Sequence, residues 1–140
     1  MSSEGLTAEE RGRYARHLML PELGVEGQER LKTSSVLCVG AGGLGSSLLL
    51  YLAAAGVGRI GIVDADVVEV SNLQRQVIHG TSTIGVSKAQ SAARRIAELN
   101  PLCQVDVHER MIDSTNALDL VGSYDLVCDG SDNFPTRFLV

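Results

Sequence analysis

The sequence predicts an α/β fold, a doubly wound and mainly parallel sheet with helices on both faces, preceded by N-terminal helices. Short apolar runs typical of strands alternate with longer helical stretches along most of the 140 residues. Strands that are separated by a helix are expected to lie parallel and to be joined by right-handed crossovers. A glycine-rich turn also stands between the first strand and its helix, as it does in many doubly wound folds.

Local signals mark where the elements begin and end. Thr7-Ala8-Glu9-Glu10 is a capping box, which predicts the start of a helix that runs toward Pro21. Gly56 is placed to end a helix in the left-handed conformation. The predicted strands lie at residues 35–39, 59–63, 104–108 and 124–128, and the further helices at 27–32, 43–55, 86–99, 114–121 and from 132 onward.

Composition limits the class of protein. Hydrophobic residues make up 44% of the chain and charged residues 21%, as in ordinary globular domains. A formal net charge of -5 argues against nucleic acid as a partner. Residues 48–57, the longest apolar stretch, are too few to cross a membrane, and the start lacks signal-peptide features. We therefore expect a cytoplasmic protein without membrane contact, and the helical composition of residues 134–140, without a stop signal, indicates a longer protein.

The cysteines and histidines show no spacing typical of a metal site. We expect the cysteines to be reduced thiols that act as small apolar side chains. We expect the histidines to be structural or to face solvent. These residues are Cys38, Cys103 and Cys128, and His17, His79 and His108.

The turn Gly40-Ala41-Gly42-Gly43-Leu44-Gly45 follows the first strand. Gly40 allows a sharp turn, Gly42 lets the backbone approach phosphate oxygens, and Gly45 lets the helix pack closely on the strand. N–H groups at the start of that helix then face the anion. The pattern predicts a Rossmann-like nucleotide-binding domain. The expected organisation is a helical arm over residues 1–34 and the nucleotide-binding domain over residues 35–140.

Acidic residues follow two of the predicted strands. Asp64 stands 19 residues after Gly45, where a carboxylate accepts hydrogen bonds from ribose hydroxyls or caps a turn. Asp66 is expected to face the same crevice. Asp132 follows the last strand and falls at the same edge of the sheet, where it would hold Mg²⁺ through oxygen or cap a helix.

The segment Ser71-Asn72-Leu73-Gln74-Arg75-Gln76 is dense in amide and guanidinium groups within an acidic protein. Arg75 offers a planar fork suited to phosphate oxygens, and Asn72 suits a phosphate or a carboxylate. Both also fit an ordinary polar surface. Lys88 lies near the start of a helix, where a cation opposes the helix dipole unless an anion lies nearby; a solvated surface lysine is the other interpretation.

Together these residues resemble the ThiF/MoeB/HesA family of adenylating enzymes that activate ubiquitin-like proteins. The molybdopterin-synthase adenylyltransferases are the branch that the chain resembles most. The matching pieces follow the family's order over nearly the whole chain, and the S-N-L-x-R-Q piece is the most specific of them. They are residues 13–17, 40–45, 64–66, 71–76, 85–88 and 129–133.

The resemblance implies a role for each matching residue. Gly43 and its neighbours would lie along the nucleotide, and Asp64 would bind the ribose. The phosphates would be contacted by Asn72, Arg75 and Lys88. Asp132 would bind Mg²⁺, Asn133 would line the site, and Arg16 would enter the site of the second subunit in a homodimer.

The reaction implied by the resemblance is ATP-dependent adenylation of a carboxylate, with release of pyrophosphate. The carboxylate belongs to the C-terminal glycine of a small ubiquitin-like sulfur-carrier protein that ends in Gly-Gly. Such a nucleophile is already ionised at neutral pH, so no general base is required. The expected catalytic residues are Arg16, Arg75, Lys88 and Asp132. The family's two C-x-x-C zinc pairs lie in a later half, so Zn²⁺ is expected only beyond residue 140.

Two other interpretations fit part of the pattern. An NAD-dependent oxidoreductase explains the glycine turn and Asp64, but it does not explain Arg75, Lys88 and Asp132. A non-catalytic nucleotide-binding partner subunit would keep the fold without turnover. The sequence leaves open which carrier protein and pathway are served.

Overall fold

The computed structural model describes residues 5–111 and 113–129. This part of the chain holds six α-helices and four β-strands: three helices precede the first strand, and from there strands and helices alternate. Two short 3-10 helices lie between β2 and α5. The elements are α1 (Ala8–Arg13), α2 (Ala15–Leu18), α3 (Gly24–Thr33), β1 (Ser35–Val39), α4 (Gly43–Ala55), β2 (Arg59–Val63), α5 (Lys88–Leu99), β3 (Gln104–His108), α6 (Ala117–Gly122) and β4 (Leu126–Asp129).

The four strands form one parallel sheet in the order β3-β2-β1-β4. Within the sheet, β2 lies beside β1 and β3 lies beyond β2. The chain then crosses back and adds β4 on the other side of β1. Val39 at the end of β1 is in register with Val63 of β2 and with Asp129 of β4. The carboxyl ends of these strands therefore share one edge, and the strand order reverses between β1 and β4, where doubly wound folds bind ligands.

Helices cover both faces of the sheet, which confirms the predicted fold class. On one face, the buried side chains of β1 and β2 pack against α4 and α5, with Leu49, Ile60, Ile62 and Ile96 fully buried. On the other face, Leu37 and Val63 pack against Leu120 of α6. The core is mainly aliphatic, in line with the low aromatic content, and Tyr14 and Tyr124 are the buried aromatic side chains of the described residues.

The three cysteines are free thiols, in agreement with the expectation for small apolar side chains. Cys38 and Cys103 are buried, and Cys128 is partly buried. Burial raises the pKa of Cys38 to about 12 and that of Cys103 to about 11, so both thiols stay protonated at neutral pH. A protonated, buried thiol is a poor nucleophile and a poor metal ligand.

The N-terminal helix does not run unbroken toward Pro21, and that prediction was wrong. It is interrupted at Tyr14, whose backbone (φ -105°, ψ 21°) separates α1 from α2. The Tyr14 side chain is buried, packs against Gly56, and accepts a 2.8 Å hydrogen bond from Asn100 Nδ2. Because Gly56 and Asn100 lie outside the helix, we attribute the interruption at Tyr14 to its contacts with the rest of the fold.

Four other boundaries differ from the prediction. Helix α3 begins at Gly24 rather than residue 27, and α6 spans Ala117–Gly122 rather than 114–121. Helix α5 begins at Lys88 rather than residue 86 because Ser87 caps it, its side chain accepting a hydrogen bond from the Gln90 N–H. Strand β4 begins at Leu126 rather than residue 124, and the helix predicted from residue 132 lies outside the described residues.

The described helices include none that could cross a membrane, since none is both long and apolar enough.

Candidate nucleotide-binding site

The glycine turn connects the end of β1 to the start of α4. Gly40 has a φ of 98°, and its N–H donates to the Val63 carbonyl at 2.8 Å. A side chain at Gly45 would place its Cβ 2.0 Å from the Gly40 carbonyl oxygen. The sharp turn and the close approach of helix to strand therefore both require glycine at these two positions.

The N-terminus of α4 carries no side-chain cap. Gly42 occupies the capping position, and a Cβ built on Gly43 meets no atom within 4 Å. The first N–H groups of a helix lack intrahelical partners and carry a partial positive charge. This end of α4 is therefore an open place where backbone donors could meet an anion.

Asp64 leaves the end of β2 and joins two backbone segments. One carboxylate oxygen accepts from the Ala41 N–H and the other from the Asp66 N–H, both at 2.8 Å. The turn-capping alternative is thus realised, and each oxygen keeps a further lone pair that a ribose hydroxyl could use. Asp66 is exposed, and its carbonyl accepts from the Lys88 N–H at 2.8 Å.

The crossover segment, residues 64–87, folds back on itself between β2 and α5. Val67 and Ser87 form an antiparallel bridge, and Val68 exchanges backbone hydrogen bonds with Gly85 and Val86. The left-handed φ of 86° at Gly85 allows the return. As a result Lys88, which begins α5, lies next to the residues that follow β2.

Lys88 is buried, with only 8% of its surface exposed. The interpretation as a solvated surface lysine is therefore wrong. Across residues 5–111 and 113–129, the ion pairs are Arg30–Glu26, Lys32–Glu10 and Arg59–Asp106, so Lys88 has no carboxylate partner there. A cation at a helix N-terminus opposes the helix dipole, and an anion bound beside Lys88 would offset that cost.

Asn72 and Arg75 lie on the crossover segment and differ in environment. Asn72 is buried, and its Oδ1 accepts from the Glu69 N–H at 2.8 Å, which holds the 3-10 turn Val70–Asn72. Arg75 is exposed, and its side chain makes one long contact with the described residues, 3.5 Å from Nη1 to the Ser71 carbonyl oxygen. Its guanidinium therefore remains largely available to a ligand.

The residues after Arg75 dock against the glycine turn. The Ile78 N–H donates to Ser46 Oγ at 2.6 Å, and His79 Nε2 lies 2.9 Å from the Ala41 carbonyl oxygen. The Gln76 amide nitrogen lies 3.6 Å from the position of a Cβ on Gly42. These contacts anchor the segment that carries Arg75 beside the turn.

Two residues near the turn escape sequence reasoning. Gln76 is 3% exposed, and its Oε1 is buried with no hydrogen-bond partner among the described residues. His79 is buried and bonded to both the turn and α5. Their place inside a polar segment gives no sign of burial; Gln76 is the last residue of the S-N-L-x-R-Q motif, and His79 follows it by three residues.

Arg16 does not join the other candidates within one chain. It is exposed on α2 and lines a cavity of about 280 Å³ together with Ala54 near the C-terminal end of α4. The glycine turn lies at the other end of this helix, about 16 Å away at 1.5 Å per residue. Asp132 and Asn133 lie outside the described residues, and no cluster of three metal-ligating side chains occurs within them.

The stability of the chain is expected to fall as the pH drops below about 6.5. Burial lowers the pKa of His79 and of His108, so the unfolded chain binds these protons more readily than the folded one. The free energy of unfolding should be level above pH 7 and fall below it, with the larger share of the fall from the more deeply buried His79.

Urea unfolding between pH 5 and 7.5 measures this effect. His79→Gln and His108→Gln should each remove part of the slope. A free energy of unfolding that stays constant over this range would contradict the burial of neutral imidazoles.

The fold, with its glycine turn at the switch point, is of the class that includes the nucleotide-binding α/β proteins. The ThiF family pattern matches residues 14–140. The chain belongs to the ThiF family.

The chain is similar to two curated proteins that are longer than it is. It is 60% identical to the probable adenylyltransferase/sulfurtransferase MoeZ of Mycobacterium tuberculosis, over 99% of this chain and 35% of that protein. It is 56% identical to the sulfur carrier protein adenylyltransferase of Thermus thermophilus, over 96% of this chain and 49% of that protein. The chain thus spans between a third and a half of these relatives.

Among solved structures, the chain resembles E. coli tRNA N6-threonylcarbamoyladenosine dehydratase, TcdA, in complex with ATP. The TM-score is 0.89 at 29% identity, and the match covers 96% of this chain and 55% of that one. The likeness confirms the predicted fold, including the helices before the sheet.

Proposed function

We propose that this chain is the nucleotide-binding part of an adenylyltransferase that activates the C-terminal glycine carboxylate of a ubiquitin-like sulfur-carrier protein. The observation that carries the proposal is Lys88, a largely buried lysine at the start of α5 without a carboxylate partner in the described chain. It lies at the edge of the sheet where Asp64 and the glycine turn also lie. A triphosphate supplies the negative charge that this arrangement lacks.

The relatives favour this activity over others of the same fold. Their names describe adenylyltransferases, and one of them acts on a sulfur carrier protein. The solved relative with the same fold binds ATP. Both similarities extend over nearly the whole of the present chain.

The proposed reaction joins the carrier's carboxylate to the α-phosphorus of ATP, and the bond from that phosphorus to the pyrophosphate oxygen breaks. The products are an acyl-adenylate and pyrophosphate. Because the nucleophile is ionised at neutral pH, the barrier arises mainly from repulsion between anions and from alignment. The protein's task is to place positive charge beside the departing pyrophosphate.

The residues divide this task by position. Arg75 can bind two phosphate oxygens at once with its planar fork, whereas Lys88 presents a single charge at the base of the site. The N-terminus of α4 adds backbone donors, and Asp64 would orient the ribose. Asp132 and Asn133 complete the proposal, Asp132 as the carboxylate that would hold Mg²⁺; the ion would neutralise phosphate charge when bound.

Arg16 belongs to the proposal only if a second copy of the chain is present. It lies near the far end of α4 from the glycine turn, and no acidic side chain in the described residues pairs with it. We propose that it enters the site of the partner subunit in a homodimer. The carrier protein, the dimer and the cytoplasmic setting are all part of this proposal.

Ligand selectivity tests the proposed function in the chain as it stands. ATP with Mg²⁺ should raise the melting temperature, since a ligand at 100 times its Kd stabilises the folded state by about 2.7 kcal/mol. NAD at the same concentration should produce a much smaller shift, because it has no terminal phosphate for Arg75 and Lys88.

The comparison is made by thermal unfolding, with adenosine as the matched ligand without phosphates. A larger stabilisation by NAD than by ATP would overturn the proposal in favour of an oxidoreductase. Nucleotide binding in a longer chain that binds the carrier but does not exchange pyrophosphate would point to a non-catalytic partner subunit.

A further inference from the structure

His79 connects the glycine turn to helix α5 through two hydrogen bonds. Its Nε2 lies 2.9 Å from the Ala41 carbonyl oxygen, and its Nδ1 lies 2.7 Å from Ser91 Oγ. The imidazole is 7% exposed and Ser91 is 1% exposed. The two contacts are therefore made away from bulk water, where hydrogen bonds hold groups firmly.

The partners of the imidazole determine which nitrogen carries the proton. A carbonyl oxygen only accepts, so Nε2 must be the donor. In the neutral ring, Nδ1 is then an acceptor, and it receives the Ser91 hydroxyl proton. Burial and the charge of Lys88 disfavour a second proton on the ring, whereas the Ala41 carbonyl and the charge of Asp64 favour it. Burial, the largest of these effects, keeps His79 neutral.

The peptide groups on both sides of Ala41 are fixed by side chains. The Ala41 N–H donates to Asp64 at 2.8 Å, and the Ala41 carbonyl accepts from His79 at 2.9 Å. A trans peptide is planar, with its C=O and the following N–H pointing in opposite directions. Because the Ala41 carbonyl faces His79, the Gly42 N–H must face the other way.

The Gly42 N–H has no acceptor among the described residues. It lies at the capping position of α4, beside the open space at Gly43. A backbone donor fixed in direction at the N-terminus of a helix is suited to a phosphate oxygen. Glycine leaves the backbone at residue 42 free to adopt many conformations. A side chain that holds the Ala41–Gly42 peptide is therefore needed to fix the direction of the Gly42 N–H.

We propose that His79 is a positioning residue for the nucleotide, which holds the Ala41–Gly42 peptide so that the Gly42 N–H points to a phosphate oxygen. This inference rests on the proposed function, since it takes the ligand to be a nucleoside triphosphate. His79 acts through Ala41 and contacts no ligand itself. Ser91 shares the task because it fixes the tautomer.

The first test is a spectroscopic one on the unmodified chain. Nitrogen NMR of the labelled imidazole should show His79 as the neutral ring with the proton on Nε2, both with and without Mg²⁺-ATP. A proton on Nδ1 instead, or a charged ring at pH 7, would overturn the inference. This result does not depend on whether any variant folds.

The second test compares ligands with and without phosphates. His79→Ala should weaken Mg²⁺-ATP binding by about tenfold, the effect of one misdirected hydrogen bond, and leave adenosine binding unchanged. His79→Gln should restore part of the loss, because its amide can donate to the Ala41 carbonyl. His108→Gln is the matched control, since this histidine contacts Tyr124 rather than the turn.

The outcomes separate the inference from the function on which it rests. If the unmodified chain does not bind Mg²⁺-ATP, the proposed function fails, and the inference fails with it. If it binds, but His79→Ala weakens ATP and adenosine equally or changes neither, His79 has a merely structural role and the inference alone is wrong. Should His79→Ala fail to fold, Ser91→Ala replaces it, with a smaller loss for ATP and again none for adenosine.

Discussion

Removal of either proposed phosphate-binding cation is expected to lower carrier-dependent exchange of pyrophosphate into ATP by roughly 10²–10³-fold, the loss typical of one donor that stabilises developing charge. The variants are Lys88→Met and Arg75→Ala. Both cations would neutralise charge that moves onto pyrophosphate, so their loss should act on the rate. The assay needs a protein as long as the curated relatives, together with a sulfur-carrier protein.

Stability separates this effect from a general loss of structure. Lys88 is buried without a carboxylate partner in the described chain, so Lys88→Met should leave the free energy of unfolding unchanged or raise it. A variant that is more stable yet inactive is the signature of a group retained for a ligand. Arg94→Ala, which removes an exposed arginine from α5, is the matched control and should keep full exchange.

The exchange rates of Lys88→Met and Arg75→Ala decide whether these two cations carry the proposed function. Exchange within a few-fold of the unmodified protein in both variants would remove the basis of the proposed function. If instead Lys88→Met unfolds the chain, the lysine side chain has a structural role, and Arg75→Ala is then the test of a phosphate-binding cation within one chain.

The second large effect is expected from a single methyl group in the glycine turn. Gly45→Ala would place a Cβ 2.0 Å from the Gly40 carbonyl oxygen, and neither group belongs to a flexible side chain. Helix α4 must then move away from β1, at a cost of at least about 1–3 kcal/mol for an overpacked core. Chemical unfolding of the chain measures the loss directly.

Gly43→Ala is the control for this change, because it adds the same methyl group to the same helix. No atom lies within 4 Å of the new Cβ, and alanine favours a helix over glycine by about 0.5–1 kcal/mol. Stability should be kept or increased, while Mg²⁺-ATP affinity falls because the methyl group enters the space proposed for the nucleotide. Equal stability of the two variants would show that the helix–strand contact is looser than described.

The parts of the fold that could be predicted are those that local sequence determines. Strands β1, β2 and β3 and helix α4 agree with the predicted boundaries, since apolar runs, the glycine turn and Gly56 mark their ends. The capping box at Thr7 is present, with a hydrogen bond in each direction between Thr7 and Glu10.

The remaining features depend on contacts between distant residues. Tyr14 breaks a helix because it packs against Gly56 and Asn100, neither of which a local pattern can indicate. Lys88 could be recognised as a candidate by its position, but its burial could not, because the antiparallel return of the crossover segment produces it. His79 is the residue near the site that the sequence does not single out. Nothing in the residues around it distinguishes a buried histidine from an exposed one.

The bridge between Val67 and Ser87 has a consequence for how tightly a ligand is held. Closing a loop of this length costs conformational entropy, which grows only slowly with the number of residues enclosed. Because the bridge closes the loop in the unliganded chain, that entropy is lost during folding rather than during association. Arg75 lies on a segment whose path is already restricted before a ligand binds. Less of the free energy of its contacts with a ligand is then lost in ordering the loop, so more of it appears as binding affinity.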